Sequence, residues 1–474
     1  KTALRLMRSR RLPTSPALGA CVEVAACWLA GCAKMLSVRV AVGKSSFHLS
    51  AATALCLAGV VAIGITNAFM LIVGYPWGPG SAAASAAASG AELLQSSLAG
   101  LPPSLLKWRA DLRPRWESPR GLTAAASCKP ASPGNKVVLV TGTGGFVGFH
   151  TARYLRRRGD GVLGLDNFNT YYPVSLKRAR SDELEREGVF TLATDLNDVE
   201  SLKKAHELCG FTHILNFAAQ AGVRYATIDP DSYINSNVAG FIAILEVFKS
   251  QSPMPRIVYA SSSSVYGLNT KVPFSEDDVV DRPASLYAAT KKSNEMLAHT
   301  YNHIYGLATT GLRFFTVYGP YGRPDMAAFA FANKIMRGET VRIFQGPGGS
   351  ELERDFTYID DIVQGTVAAV DHIGPSGKPA PCKVYNLGNR QPHNVTYLVD
   401  LLEEFLQKKA IRDYVPLPAT GDVLKTNADV SLAARDLGYA PRTSLREGVK
   451  KFVEWYKEYY KDGLDSDMIN YKPL

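Results

Sequence analysis

The chain has 474 residues, 46% of them apolar, and a formal net charge of +10. That length suggests two or three domain-sized units, and that apolar fraction is ordinary for a folded protein. The placement of the charge argues against a nucleic-acid surface: residues 1–48 hold eight Lys/Arg against the single acid Glu23, a net +7, which leaves +3 for all the rest. Such an end-loaded bias is the pattern of membrane topology.

From Leu49 to Tyr75 the chain reads LSAATALCLAGVVAIGITNAFMLIVGY, without a charged residue. As a helix this run is about 40 Å long, enough to cross the ~30 Å hydrocarbon core with some tilt. The preceding lysines and arginines predict a cytosolic tail over 1–48, a transmembrane helix over 49–75 and a lumenal remainder. The Gly/Ala/Ser-rich stretch that follows predicts a flexible lumenal stalk over 76–133, with folded character beginning at Lys136. Four of the seven cysteines (Cys21, Cys27, Cys32, Cys56) fall in the N-terminal region, and Cys209 and Cys382 lie well inside the expected globular part without CxxC spacing. No zinc site, no other metal site and no obligatory disulfide are expected.

Residues 136–168, KVVLVTGTGGFVGFHTARYLRRRGDGVLGLDNF, predict a buried parallel strand, a glycine turn, a helix from Phe146 and a second strand ending in Asp166. Gly142, Gly145 and Gly148 let a pyrophosphate approach the backbone, and the helix start at Phe146 and Val147 offers free N–H groups with a positive dipole end. Asp166, followed by Asn167, suits the hydroxyls of an adenosine ribose and disfavours a 2′-phosphate, so NAD is the expected cofactor rather than NADP. Further strands end near Asp195 and Leu196, at Ala218 and Ala219, and in the serine run Ser261–Ser264. Helices fit at 198–208 and 233–251. This alternation predicts an α/β Rossmann-type, doubly wound parallel sheet, whose strand C-termini gather the ligands.

Within SLYAATKKSNEMLAH, on a helix predicted over 283–306, Tyr287 and Lys291 stand one turn apart. Alone, such a pair is an ordinary helix face. After a dinucleotide-binding half and a serine-rich strand end it reads as an acid–base pair, in which a neighbouring ammonium favours the phenolate.

The segments GTGGFVG, DNF, NFAAQAGVRYA, SSSSVYG, YAATK and GLRFFTVYGPYGRPDM, spread from Lys136 to Tyr460, resemble the extended short-chain dehydrogenase/reductase superfamily and, within it, the UDP-glucuronate 4-epimerase family. The anchor and stalk are similar to those of the membrane-bound Golgi forms of plants. The resemblance implies Tyr287 as base, Lys291 as its tuner and a ribose ligand, and Ser262 as the catalytic serine, with Ser263 and Ser264 beside the sugar. It implies Asn237 and Phe314, with Phe315, near the nicotinamide, and Thr316 and Arg323 at the sugar and its carboxylate. Arg354, Asp422 and Arg224 are implied contacts of the nucleotide sugar. The alternatives are a UDP-glucuronate decarboxylase, in whose family an acid stands where this chain has Ser264, and a UDP-glucose 4-epimerase, which has no need of Arg323. Two departures are the missing aspartate after the paired tyrosines of TYYPVSLKRAR and the missing basic residue before Gly421-Asp422. The expected domains are an NAD-binding Rossmann unit over 134–320 and a smaller C-terminal α/β substrate lobe over 321–474 that packs back on the core. A homodimer is expected through the helices near 233–251 and 283–306.

Overall fold

The computed structural model describes residues 41–42, 45–46, 114–418 and 422–471. The predicted basic tail, the predicted transmembrane helix at 49–75 and the stalk up to residue 113 lie outside them, apart from a short antiparallel pairing of Ala41–Val42 with Ser45–Ser46. Among the described residues no helix is long and apolar enough to cross a membrane.

The β-branched run Val137–Thr141 forms β1, a buried inner strand of the main sheet. It continues through a turn at Gly142 into α1 (Phe146–Arg157), then β2 (Gly161–Asp166), α2 (Val174–Arg186), β3 (Phe190–Ala193), α3 (Val199–Cys209) and β4 (His213–Asn216). A π-helical turn, Ile234–Ala239, leads into α4 (Gly240–Phe248). Then come β5 (Arg256–Ser262), α5 (Leu286–Tyr305) and β6 (Thr309–Phe314). Farther along are β7 (Thr316–Tyr318), α6 (Ala327–Arg337), β8 (Thr340–Gln345), β9 (Glu353–Tyr358), α7 (Ile359–His372) and β10 (Cys382–Leu387). The chain closes with β11 (Pro392–Asn394), α8 (Val395–Leu406), β12 (Ile411–Pro416), α9 (Ser431–Leu437), α10 (Leu445–Tyr459) and α11 (Ser466–Asn470).

Seven strands pair in the order β10-β6-β5-β4-β1-β2-β3, all parallel. The order reverses at β1, so a crevice opens beyond the strand C-termini between β1 and β4. The central strands β1, β2 and β4 are buried along almost their whole length, as a sheet covered by helices requires. β10, from the expected substrate lobe, supplies the seventh strand, and one apolar cluster runs from Val138 to Phe452 through both halves. A three-stranded sheet, β11-β9-β7, and the parallel pair β8-β12 form the cover over the crevice.

Beneath the crevice Arg313 (β6) grips Glu295 (α5) bidentately, Nε to Oε1 at 2.8 Å and Nη2 to Oε2 at 2.9 Å. Ser261 Oγ donates to the same carboxylate at 2.7 Å. This buried pair locks the helix that carries Tyr287 to the strand beside it.

Two expectations fail. The sequence places the onset of folding at Lys136, yet the chain is already packed from residue 114. A short helix, Ala124–Ser127, is capped by Thr123, and Trp116, Leu122, Ala124 and Cys128 join the core cluster around Leu163, Phe190 and Leu202. Ser127 Oγ donates to Val162 O and accepts from Phe190 N, so it substitutes for a ladder bond between β2 and β3. The strap's backbone lies hard against the sheet end, where a Cβ on Gly161 would lie 1.9 Å from Cys128 O, and its Ala/Ser-rich composition gives no apolar periodicity to reveal it. The second failure is the expected absence of a disulfide. Cys128 pairs with Cys209 at the end of α3, 81 residues later, with a Cα–Cα distance of 5.5 Å. Without a folded strap, Cys128 has no reason to be near α3.

Candidate active site

A cavity of about 740 Å³ occupies the crevice between the sheet ends and the cover. At its floor, Gly142 has φ +76°, and a Cβ there would sit 2.8 Å from Ala218 N. A Cβ on Gly148 would sit 2.2 Å from Gly142 O. These glycines bring α1 tight against the turn. The α1 N-cap, Gly145, makes no side-chain cap, so first-turn N–H groups face the cavity for an anion. Asp166 Oδ2 accepts from Gly144 N at 2.9 Å and Oδ1 from Phe168 N at 2.8 Å. Burial pushes the Asp166 carboxyl up from its ordinary range, against the opposing charge of Lys177 and these hydrogen bonds. For Asp195, burial is outweighed by hydrogen bonds from Asn197 N, Asn167 and the Asn197 side chain, and its carboxyl is held low. Gly142, Gly145, Phe146, Val147, Gly148, Asp166, Asn167, Asp195, Leu196, Ala218, Ala219 and Phe314 all line this end. Its shape and donors fit a dinucleotide: a glycine cradle that tolerates no side chain, an uncapped helix start and two acids at strand ends.

Asn237 is the exception. It does not line the cavity but lies behind it in the π-helical turn, 2% exposed. Its Nδ2 donates to Gln220 O at 2.9 Å and Thr290 Oγ1 at 3.0 Å, and its Oδ1 accepts from Gln220 N at 2.8 Å. It ties the loop after β4 to α5, which positions the residues around it rather than contacting a ligand. Local widening of a helix is a common way to aim such a side chain.

In the middle of the cavity α5 presents Tyr287 and Lys291 beside Ser262, Ser263 and Ser264 at the end of β5. The α5 start is capped by Ser285, whose Oγ accepts from Ala288 N. Ser262 Oγ accepts from Ser264 N at 3.1 Å and donates to Ser264 Oγ at 3.2 Å. Lys291 Nζ donates to Ala260 O at 2.9 Å and lies 5.9 Å from the Tyr287 ring centroid. Burial lowers the Lys291 ammonium to about 8. Burial pushes the Tyr287 phenol up, and the groups that oppose it are Arg323 and then Ser262, with Asp325 adding to the rise. The expectation that Lys291 is the cation that favours the phenolate is therefore corrected: among the side chains, the Arg323 guanidinium does so. Lys291 is engaged with a backbone carbonyl and is itself destabilised by burial.

Arg323 is held by Asp325, Nε to Oδ1 at 3.0 Å, and Tyr171 OH donates to Asp325 Oδ2 at 3.0 Å. Burial works against the Arg323 charge, but Asp325 more than offsets it. At the far end Arg224 donates from Nε and Nη2 to Asp422 Oδ2 at 3.0 and 2.8 Å, and Arg354 Nη2 stands 3.8 Å from Asp422 Oδ1. Arg224 also lies over the Phe344 ring at 4.7 Å. Thr316, Phe315, Arg224, Arg323, Arg354 and Asp422 all face the cavity. Sequence reasoning missed Tyr171, Lys177, Asp325 and Phe344 as lining residues. The TYY and RPD segments held the first and third, but nothing local shows that they meet. Among the described residues no cluster could hold a metal ion.

Chemically, the cavity offers a dinucleotide cradle at one end and two arginines with an acid at the other. Between them lie a phenol, three hydroxyls and the partly buried guanidinium of Arg323. Residues 138–388 match the model of the NAD dependent epimerase/dehydratase family. UDP-glucuronate 4-epimerase 4 of Arabidopsis thaliana is 56% identical over 354 residues, 73% of this chain and 80% of that protein. UDP-glucuronate 4-epimerase 3 of the same plant is 59% identical over 333 residues, 69% and 77% of the two chains. Among solved structures, UDP-glucuronic acid 4-epimerase from Bacillus cereus in complex with UDP-glucuronic acid and NAD is 32% identical, with a TM-score of 0.62 over 68% of this chain and 99% of that one. A UDP-glucose 4-epimerase from Thermotoga maritima is 29% identical, with a TM-score of 0.60 over 68% and 99% of the respective chains.

Proposed function

The chain belongs to the NAD dependent epimerase/dehydratase family, in its UDP-glucuronate 4-epimerase branch, and from that premise we propose how the cavity works. It interconverts UDP-glucuronate and UDP-galacturonate by reversible oxidation at C4 through a 4-keto sugar. The observation that carries the residue roles is the convergence of Tyr287, Ser262 and Arg323 in the cavity that the glycine turn also lines.

Gly142, Gly145, Phe146, Val147 and Gly148 would hold the pyrophosphate of NAD, and Asp166 and Asn167 its adenosine ribose. Asp195 and Leu196 would flank the adenine, and Ala218, Ala219 and Phe314 the nicotinamide side. NAD bound there supplies reversible hydride acceptance at C4 of the sugar. Tyr287 takes the 4-hydroxyl proton and later returns it, while Ser262 orients that hydroxyl. Lys291, whose Nζ stands at the end of β5, is placed for the cofactor ribose. Ser263, Ser264 and Thr316 contact the sugar, and Arg224, Arg354 and Asp422 the nucleotide end.

Arg323 answers a chemical hazard. Oxidation at C4 of a glucuronate makes a β-keto acid, which loses carbon dioxide when its carboxyl bond aligns with the carbonyl π-system. A planar guanidinium, itself fixed by Asp325, holds the carboxylate out of that alignment. Ser264, in place of an acid, leaves no side chain at that position to promote elimination. The test is incubation of a soluble form with UDP-glucuronate, followed by chromatography and NMR. UDP-galacturonate without carbon dioxide supports the reading; UDP-xylose, or turnover on UDP-glucose alone, overturns it.

We further infer a type II Golgi membrane protein with a lumenal catalytic unit. The support is the basic segment before the uncharged run 49–75 and the Cys128–Cys209 bond, since disulfides persist in oxidising compartments. Protease digestion of intact vesicles checks this, because a lumenal C-terminus is protected. A homodimer is inferred from the exposed Met296 and Ile304 on α5, with Ile234 beside α4. A monomer by light scattering contradicts it.

A further inference from the structure

Arg180, on α2, is wholly buried, yet the hydrogen-bond partners of its guanidinium are all uncharged oxygens. Nη1 donates to Gly144 O at 2.6 Å and to Tyr172 OH at 2.8 Å. Nη2 donates to Tyr321 O at 2.8 Å and Gly322 O at 3.0 Å. Gly144 belongs to the glycine turn of the dinucleotide cradle, and Tyr321 and Gly322 immediately precede Arg323. One side chain thus spans the two loops whose separation sets where the cofactor lies relative to the carboxylate clamp.

Three further observations point the same way. Tyr321 sits at φ +55°, a left-handed conformation that costs a non-glycine residue of order 1 kcal/mol or more and persists only when its surroundings enforce it. The carbonyls around it are held in series: Pro320 O accepts from His150 Nε2 at 2.9 Å, and the next two accept from Arg180. The paired tyrosines then link both ends, because Tyr172 meets Arg180 while Tyr171 meets Asp325, the partner of Arg323. A buried cation without a carboxylate hydrogen-bonded to it is a costly way to fill volume, and an apolar side chain would serve packing better.

We propose that Arg180 is a positioning residue: it fixes the loop bearing Arg323 against the glycine turn, so that cofactor retention and protection of the substrate carboxylate are set by one guanidinium. The proposal rests on the epimerase reading above. Its experiment uses the Arg180→Lys variant, which keeps the charge but cannot donate to both loops in the same planar geometry. Resident NAD per chain, kcat, KM for UDP-glucuronate, released carbon dioxide and thermal midpoint are measured together. The expected result is a folded variant with lowered NAD content, KM raised about tenfold, as sub-ångström to ångström misplacement produces, and carbon dioxide released during turnover. A folded variant with wild-type NAD content, KM and carboxylate retention, altered only in its thermal midpoint, overturns the proposal. Should Arg180→Lys fail to fold, Tyr172→Phe removes one of the acceptors and leaves the ring; lowered NAD content there supports the proposal, and unchanged NAD content with unchanged KM overturns it. If the wild-type chain leaves UDP-glucuronate untouched, the epimerase reading fails, while the NAD content of either variant still tests the staple by itself.

Discussion

Lys291 Nζ donates to the Ala260 carbonyl at 2.9 Å and stands 5.9 Å from the ring centroid of Tyr287, one helical turn away. The two residues share a wall of the cavity without being a tight ion pair. Burial brings the Lys291 ammonium down to about 8, within reach of physiological pH. Ribose binding calls on the charged form, so activity is present below this value and lost as pH rises through it. A pH profile of kcat should therefore show an alkaline limb near 8. A profile flat to 10, the range of an unperturbed lysine, would show that the Lys291 ammonium is not lowered in the working enzyme.

Tyr287→Phe removes the proton carrier and keeps the ring, which lies against Tyr233 with centroids 6.3 Å apart. Epimerisation should fall by about 10²–10⁴, the usual worth of a positioned acid–base group, with resident NAD unchanged. Full activity in that variant would reassign the base.

Arg323→Ala leaves Asp325 beside a substrate carboxylate with no cation between them. The expected outcome is a raised KM together with carbon dioxide and a decarboxylated sugar nucleotide among the products. Wild-type KM and a clean product profile would show that the carboxylate is held elsewhere, by another of the cations that line the cavity, among them Lys177, Arg224 and Arg354.

Cys209→Ser opens a covalent loop of 81 residues between the strap and α3. Loop entropy of that size corresponds to about 4.5 kcal/mol in the chain-entropy model, so the thermal midpoint should drop by several degrees while kcat stays unchanged, because the bond lies outside the cavity. Equal midpoints for the two proteins under non-reducing conditions would mean that the bond does not form in solution.

What the sequence made legible was what depends on neighbours in the chain. The apolar run 137–141, the three glycines, Asp166 at the next strand end and the four-residue spacing of Tyr287 and Lys291 all encode their geometry locally, and each sits where that pattern predicts. What it hid depends on contacts across the chain. Arg180 reaches Gly322 over 142 positions and Tyr171 reaches Asp325 over 154. In sequence they are one more arginine on a basic helix and one more aromatic in a turn. The strap at 114–133 was hidden for another reason: only a few of its residues, such as Ala124, Ser127 and Cys128, are buried, and its small, polar composition reads as linker. Asn237 was placed in the right neighbourhood by resemblance, but only the π-helical turn shows that it braces two elements instead of facing the cavity.

The most direct measurement of the central claim follows the hydrogen on C4. UDP-glucuronate deuterated at C4 is turned over in ordinary water and the product is read by NMR. Oxidation and re-reduction of the same molecule within a closed cavity predict UDP-galacturonate that retains the deuterium at C4 with inverted configuration. Loss of that label to solvent, or exchange at C5 with C4 untouched, would contradict the account.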